Sequence, residues 1–198
     1  MNLLIFSDLH GDVKALQRLV DTAADAYFVA GDLATFSRGL EKMGPILQTA
    51  RAPVYVMPGN HESEADIAAF CGQYGFVFFH DRVVEIEGRH IAGLGYSNIT
   101  PFKTPGEYSE PEFAERLKPW ASLKPLILIC HCPPLNTALD RAGEGLHFGS
   151  PAIKKFIEES QPEWFFCGHI HEAEGVSTTL GKTCAVNVGK RGYMLELT

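Results

Sequence analysis

A strand-turn-helix pattern near the start of the chain most narrowly limits what this sequence can fold into. Short apolar runs lie at residues 3–6, 27–30 and 54–57. Each run is followed by a polar turn that contains glycine and then by a segment of helical spacing, at residues 12–24, 39–49 and 64–71. Such runs predict strands buried on both faces, and the 3.6-residue period predicts helices that pack over them. We therefore predict a layered α/β fold with a mixed sheet or two stacked sheets.

The rest of the chain predicts shorter strands and one further helix. Strands are predicted at residues 76–79, 83–87, 90–94, 126–129, 164–167, 175–179, 183–187 and 193–197. A helix is predicted at residues 150–159, and Glu87-Gly88-Arg89 predicts a hairpin turn. The sequence has no stretch with the composition of an interdomain linker, so we predict a single domain over residues 1–198.

The acidic composition limits the classes of partner. The 198-residue chain has a net charge of -7 and no run of Lys or Arg, so we expect no binding to long nucleic acids. Five cysteines without a CxxC pair favour a reducing compartment, and the cytoplasm is the predicted location. The apolar run at residues 3–6 is too short for a signal peptide or a membrane span, so we expect no membrane association. The oligomeric state stays open.

Candidate metal ligands occur in five short motifs that follow predicted strands. They are Asp8 and His10 in SDLHGD, Asp32 in GDL, Asn60 and His61 in GNHE, His131 in CHCPP, and His169 and His171 in GHIH. Ligands bind at the carboxyl ends of strands in open α/β sheets, so we expect these motifs to share one crevice. Residues two apart in an extended segment face the same way, so we expect Asp8 to lie beside His10, and His169 beside His171.

This set of side chains suits the hydrolysis of a phosphate ester by two metal ions. The reaction needs a hydroxide, neutralisation of the phosphoryl oxygens and a proton for the leaving group, and two divalent cations supply the first two. Imidazole nitrogens with carboxylate and amide oxygens fit manganese, iron or zinc, and we favour manganese. Cys130 and Cys132 flank His131, but we interpret them as buried thiols and not as ligands.

The five ordered motifs resemble those of the calcineurin-like metallophosphoesterase superfamily. Residues 97–102, 147–150 and 167–172 further resemble compact predicted phosphoesterases related to the cyclic-nucleotide phosphodiesterase branch. The resemblance implies a four-layer α-β-β-α sandwich, in which two mixed sheets are flanked by helices. It also implies hydrolysis of a small phosphodiester by a hydroxide that bridges two metal ions.

The resemblance also implies a role for each motif residue. The first metal ion would be held by Asp8, His10 and His171, and the second by Asn60, His131 and His169. Asp32 would bridge the two ions and so take part in catalysis. His61 would be the general acid that protonates the leaving group, with Glu62 as the partner that orients its ring.

Two long connections, at residues 96–109 and 133–150, are candidates for substrate contacts. We expect them to border the crevice and to offer Asn98, Phe102, Arg141 or His147 to the substrate, although surface loops without such contacts are the alternative. A phosphomonoester substrate and a non-catalytic scaffold for protein interaction also stay open. Asp32 is followed by Leu33 instead of an arginine-bearing segment, which disfavours a protein phosphatase.

Overall fold

The structure, a computed structural model, describes residues 1–197 as an α/β fold with two large mixed sheets. The strands are β1 (Asn2–Phe6), β2 (Ala26–Ala30), β3 (Val54–Met57), β4 (Val77–Phe78), β5 (Arg82–Ile86), β6 (Arg89–Leu94), β7 (Ser97–Asn98), β8 (Glu107–Tyr108), β9 (Leu126–Cys130), β10 (Arg141–Gly143), β11 (Leu146–His147), β12 (Trp164–Cys167), β13 (Ser177–Leu180), β14 (Thr183–Asn187) and β15 (Tyr193–Glu196). The helices are α1 (Val13–Val20), α2 (Leu40–Leu47), α3 (Glu64–Tyr74), α4 (Glu110–Leu117) and α5 (Pro151–Ser160).

The first large sheet has the strand order β15-β1-β2-β3-β4. Strands β1 to β4 are parallel, and β15 pairs antiparallel with β1. Leu4 and Phe6 pack on the side that carries α1, α2 and α3, whereas Leu3 and Ile5 pack on the opposite side. Side chains alternate between the faces of a strand, so an unbroken apolar run buries both faces of β1.

The second large sheet has the strand order β13-β14-β12-β9-β6-β5. Its four central strands are parallel, and the edge strands β13 and β5 run antiparallel to their neighbours. In β9, Leu126 and Leu128 pack in the core beneath α4 and α5, whereas Ile127 and Ile129 pack in the core shared with the first sheet. The predicted turn at Gly88 joins β5 to β6 and is confirmed.

Three apolar cores separate four layers. One core lies between the two sheets, and the other two lie between each sheet and its own helices. The predicted four-layer α-β-β-α sandwich is therefore confirmed. Within residues 1–197, the structure contains no helix that is long and apolar enough to cross a membrane.

The elements differ from the prediction mainly where few apolar residues are involved. Helix α1 ends at Val20 instead of residue 24, and the Tyr27 hydroxyl donates to the carbonyl of Thr22 in the turn that follows. Helix α4 was not predicted, because its buried face contains only Phe113 and Leu117. The two long connections contain the short strand pairs β7–β8 and β10–β11, which were also missed.

Candidate metal centre

The carboxyl ends of strands from both sheets meet at one crevice that contains all five motifs. Asp8 follows β1, Asp32 follows β2 and Asn60 follows β3, all in the first sheet. His131 and His169 follow β9 and β12 in the second sheet. The stacking of the two sheets therefore brings together side chains that are as far apart in sequence as Asp8 and His171, whose Oδ1 and Nε2 atoms lie 3.5 Å apart.

The local backbone differs from the predicted extended conformation. The φ angles of Asp8, His10 and His169 are 57°, 48° and 68°, which places these residues in the left-handed region. The predicted extended backbone is therefore wrong, although Asp8 and His10 do lie together as expected. His171 contacts the group around Asp8, because the chain turns through the left-handed His169 and then enters a short 3-10 helix.

One group of side chains lies at the outer part of the crevice. His10 Nε2 is 3.0 Å from His171 Nε2 and 3.6 Å from Asp32 Oδ2. His171 Nε2 in turn lies 3.5 Å from Asp8 Oδ1. Potential ligand atoms of Asp8, His10 and His171 all lie within 4.8 Å of one another. Four side chains, counting Asp32, can therefore reach one ion.

A second group lies deeper, and Asp32 belongs to both. Asn60 Oδ1 is 3.1 Å from His131 Nε2 and 3.0 Å from His169 Nδ1. The same oxygen of Asp32 that faces His10, Oδ2, also lies 3.4 Å from His131 Nε2. The other oxygen, Oδ1, accepts the backbone N–H of His61 at 2.9 Å. Asp32 Oδ2 is thus the atom placed between the two groups.

The donor chemistry of the deeper group fits a metal ion. His131 Nδ1 lies 2.9 Å from the carbonyl oxygen of Ala30, which can only accept, so Nδ1 carries the ring proton. In the neutral imidazole, Nε2 then presents a lone pair toward Oδ1 of Asn60 and Oδ2 of Asp32. In this contact Nε2 carries either a proton or a metal ion, and nitrogen and oxygen donors arranged in this way suit divalent transition metals.

The protonation equilibria of the buried groups indicate the same need for positive charge. Burial alone would lower the pKa of His131, but the Asp32 carboxylate outweighs burial and raises the pKa to about 9. Burial alone would raise the pKa of Asp32, but the imidazoles of His131 and His10 lower it below its ordinary value. Burial lowers the pKa of His169 to about 4, which keeps this imidazole neutral at pH 7. The neutral His169 can bind a cation directly, and a cation bound beside Asp32 would take the place of the proton that this carboxylate favours on His131.

Neighbouring residues hold the candidate ligands in place, and spacing alone did not reveal them. The Ser7 hydroxyl donates to Asp8 Oδ2 at 2.5 Å, and the backbone N–H of His169 donates to both oxygens of Asp8. The side-chain amide of Asn187, at the end of β14, donates to the carbonyl oxygens of Gly168 and Ile170, on either side of His169. Such partners orient ligands and strengthen metal binding.

His61 lies beside the candidate ligands, but Glu62 does not orient its ring as we expected. The His61 ring packs edge-on against His10 and Phe36, with centroid distances of 5.1 and 4.9 Å. Its Nδ1 is buried and has no hydrogen-bond partner among residues 1–197. The Glu62 carboxylate instead accepts backbone N–H groups of Asp32, Ala34 and Gly59. That prediction for Glu62 is wrong, because the buried amides at the two strand ends take its oxygens.

The substrate-contact candidates divide into two groups. Asn98 and Phe102 line a cavity of about 360 Å³ that is open to Asp32, Asn60 and His61. Of the residues described, Arg141 and His147 are not in this lining. The Arg141 guanidinium donates to the carbonyl of Gly143, and His147 Nδ1 lies 2.8 Å from Asp140 Oδ1 within its own loop. The prediction missed Ile99, Phe148 and Ile170 in the lining, since an apolar residue in a loop carries no pattern.

The cysteines lie outside the cluster of candidate ligands. Cys130, Cys132 and Cys167 are buried in the apolar core beneath α4 and α5, and the first two are the predicted buried thiols. Burial raises the pKa of Cys132 to about 12, which keeps it a thiol. All five cysteines are free.

Comparisons with known proteins identify the family of the chain. The model of the family "calcineurin-like phosphoesterase" matches residues 1–173. An uncharacterised protein of Methanocaldococcus jannaschii is 33% identical over 202 residues, which cover 98% of this chain and 91% of that protein.

Solved structures at lower identity share the fold. A protein of Thermus thermophilus has a TM-score of 0.72 at 23% identity, over 95% of this chain and 88% of its own. A phosphopantetheinyl hydrolase of Mycobacterium tuberculosis has a TM-score of 0.66 at 17% identity, with the same two coverages. A dimetal phosphatase of Danio rerio has a TM-score of 0.62 at 12% identity, over 94% and 86%. Because the family model matches residues 1–173, the chain belongs to the calcineurin-like phosphoesterase family, and its reaction class is the metal-dependent hydrolysis of phosphate esters.

Proposed function

We propose that this protein hydrolyses a small phosphodiester with the help of two divalent metal ions. The observation that carries the proposal is the convergence of seven candidate ligands into two groups that share Asp32 Oδ2. These side chains follow separate strands of two sheets, and apolar packing alone does not explain why polar groups are brought together there. Manganese is the favoured ion, and iron and zinc suit the same nitrogen and oxygen donors.

Each group of side chains would hold one ion. Asp8, His10 and His171 would bind the first ion, and Asp32 would bind both. Asn60, His131 and His169 would bind the second. When bound, two such ions supply a nucleophilic water of lowered pKa and offset the charge of the phosphoryl oxygens. The chain itself orients these ligands, through Ser7 on Asp8 and through the His61 backbone N–H on Asp32.

His61 is the proposed general acid. Its ring borders the cavity that Phe102 lines and also a second cavity of about 400 Å³, and His171 lines both cavities. A ring nitrogen of His61 lies within 4.8 Å of ligand atoms of His10 and Asp32, which is close enough to reach an ester oxygen bound to the centre. Transfer of a proton from His61 to the departing oxygen would let a poor leaving group depart.

The space around the centre supports a diester over a monoester. The two cavities both reach His61 and His171 but otherwise have different linings. A phosphodiester carries a group on each side of phosphorus. The first cavity offers a place for one group, and the part of the second cavity that lies at Thr35 and Lys190, beyond the proposed ligands of the first ion, offers a place for the other. The alternative is a small-molecule phosphomonoesterase, in which that outer part of the second cavity would hold only solvent.

The substrate experiment compares two nitrophenyl esters. Protein loaded with Mn²⁺, Fe²⁺ or Zn²⁺ is assayed with bis-p-nitrophenyl phosphate and with p-nitrophenyl phosphate. We expect turnover of both, with the higher kcat/KM for the diester, and loss of both in Asp32→Ala. Asp21→Ala, which changes an exposed carboxylate at the end of α1, is the matched control and should retain activity.

The outcomes separate the candidate functions. A higher kcat/KM for the monoester would favour the phosphomonoesterase. No turnover with any of the three ions, by protein shown to be folded, would favour a scaffold that binds metal without catalysis. We also propose a cytoplasmic location, which the five free cysteines support.

A further inference from the structure

The cavity beside the metal centre has an unusually apolar and exposed wall. Ile99, Phe102 and Phe148 line it, with 70%, 75% and 51% of their surfaces exposed. Pro101 and Ile170 complete the apolar part of the lining. Burying large apolar side chains is favourable, so exposing three of them at one place indicates a surface that becomes covered.

Hydrogen bonds build this wall into a defined shape. Glu107 Oε1 accepts the hydroxyl of Thr100 at 2.6 Å, and it accepts both the hydroxyl and the backbone N–H of Thr104 at 2.7 and 2.9 Å. The Thr100 hydroxyl also accepts the backbone N–H of Phe102 at 3.2 Å. The Glu107 carboxylate therefore holds the segment that carries Ile99 and Phe102 in one defined loop conformation.

The same wall is attached to the candidate metal ligands. The backbone N–H of Gly106 donates to the carbonyl oxygen of Asn60 at 2.9 Å. On the other side, the side-chain amide of Asn98 donates to the carbonyl oxygen of Gly149, next to Phe148. A group held by the wall would thus lie at a fixed position relative to the metal centre.

The charge of the lining limits what the wall can hold. Among the residues described, the polar lining consists of the candidate ligands and His61, with Asn98 and Thr100, and it includes no Lys or Arg. A second phosphate or a carboxylate in this cavity would find no cation away from the metal centre. Moving an unpaired charge onto an apolar surface is costly, whereas an uncharged apolar group gains from burial there.

We propose that this cavity binds an uncharged aryl or alkyl group of the phosphate ester, and that Phe102 and Phe148 are the residues that select it. This inference rests on the proposed function, since the metal centre must hold the phosphoryl group of the same molecule. The size of the cavity, about 360 Å³, is within the range for small-molecule sites and suits one such group.

Binding of two phosphonates tests the proposal without hydrolysis. Methylphosphonate and phenylphosphonate differ only in the apolar group, and their Kd values for Mn²⁺-loaded protein are measured by calorimetry. We expect the wild type to bind phenylphosphonate about 10-fold more tightly or better. Phe102→Ala and Phe148→Ala should each reduce that ratio several-fold while leaving the Kd of methylphosphonate nearly unchanged. Leu146→Ala is the matched control, because Leu146 is 52% exposed in the same loop as Phe148 but outside the lining.

Other results would overturn the proposal in distinguishable ways. Equal Kd values for the two phosphonates in the wild type would refute the apolar site but leave the metal centre intact. Failure of both phosphonates to bind would remove the proposed function and this inference with it. A wild-type dimer in sedimentation that Phe102→Ala converts to a monomer, and that phenylphosphonate does not dissociate, would assign the wall to a second copy of the chain.

Discussion

At the scale of single residues, the candidate centre depends on backbone conformations that the spacing of residues did not indicate. Asp8, His10, Asp32 and His169 have φ angles between 48° and 68°. Such a conformation costs about 1 kcal/mol or more per residue and persists only where the surroundings impose it. Here the backbone N–H groups of Asp8 and His10 donate to the carbonyls of Gly31 and Asp32. The residue types at the site could be predicted, whereas these conformations result from contacts between loops.

Gly59 and Gly168 leave room for the carboxylates of Asp32 and Asp8, and Gly168 gives a direct test. A Cβ on Gly168 would overlap Oδ2 of Asp8 and the hydroxyl of Ser7. Gly168→Ala should therefore displace Asp8 and weaken metal binding about 10-fold or more, as measured by competition with a chelator. Gly72→Ala, in α3 with nothing within 4 Å of its new Cβ, is the control and should bind metal normally. Equal affinities in the two variants would contradict the proposed position of Asp8.

The proposed role of His61 predicts a selective loss. His61→Gln should retain metal, because His61 is not among the proposed ligands. It should slow the hydrolysis of alkyl esters about 100-fold and of nitrophenyl esters much less, since a good leaving group needs little protonation. The measurement is kcat for methyl and nitrophenyl diesters together with the metal content. An equal loss for both esters, or a loss of metal, would remove His61 from the role of general acid.

At the scale of elements, Glu62 joins the ends of two strands of the first sheet. It accepts N–H groups of Asp32 and Ala34 after β2, and of Gly59 after β3, at distances from 2.7 to 3.0 Å. Burial and the Asp32 carboxylate raise the pKa of Glu62, whereas the backbone N–H groups that both of its oxygens accept favour the ionised form. Glu62 therefore holds the turns that carry the shared ligand and Asn60.

Replacing Glu62 should destabilise these turns. In Glu62→Gln the side chain keeps one acceptor oxygen but turns an amide N–H toward a backbone N–H. We expect the free energy of unfolding to fall by about 2 kcal/mol, as measured by urea denaturation. Glu64→Gln, at an exposed position two residues later, should leave stability unchanged. A Glu62→Gln variant as stable as the control would show that these hydrogen bonds contribute little.

The predictability of each element followed the number of apolar residues that it buries. Strands β1, β2 and β9 are rich in buried apolar residues and could be located from the sequence. Helix α4 buries only two side chains. The sequence feature that could have located its start is the spacing of Ser109 and Glu112, because the Glu112 carboxylate accepts the backbone N–H of Ser109. In the loop at residues 133–150, the Asp140 carboxylate accepts three backbone N–H groups and so holds the loop in shape. A single polar residue produces no periodic sequence pattern, so this shape could not be predicted.

At the scale of the whole molecule, a buried histidine connects the end of β6 in the second sheet to β8, which precedes α4. His80 Nδ1 accepts the N–H of Gly95, so Nε2 carries the proton and donates to the Tyr108 hydroxyl at 3.0 Å. Burial, with a smaller effect from the positive charge of Arg116, lowers the pKa of His80 to about 4. His80 belongs to none of the five motifs, and its burial and its two hydrogen bonds give it a structural role.

This lowered pKa makes stability depend on pH. Between about pH 6.5, the ordinary histidine pKa, and pH 4, the unfolded chain binds a proton at His80 that the folded chain does not. The free energy of unfolding therefore falls as the pH falls through this window, by up to about 3 kcal/mol from this residue. His80→Gln should show a shallower decline than the wild type, with parallel profiles between about pH 7 and 8. Identical profiles over the acidic range would contradict the assigned protonation state.

The most direct test of the proposed two-metal centre is the number of metal ions that one chain binds, measured by elemental analysis after loading with Mn²⁺ and desalting. Asp32 Oδ2 lies between the two groups of candidate ligands, at 3.6 Å from His10 and 3.4 Å from His131. We expect about two ions per wild-type chain and fewer than one in Asp32→Ala, because one carboxylate serves both ions. Two ions retained by Asp32→Ala, or none bound by the wild type, would contradict the proposed centre.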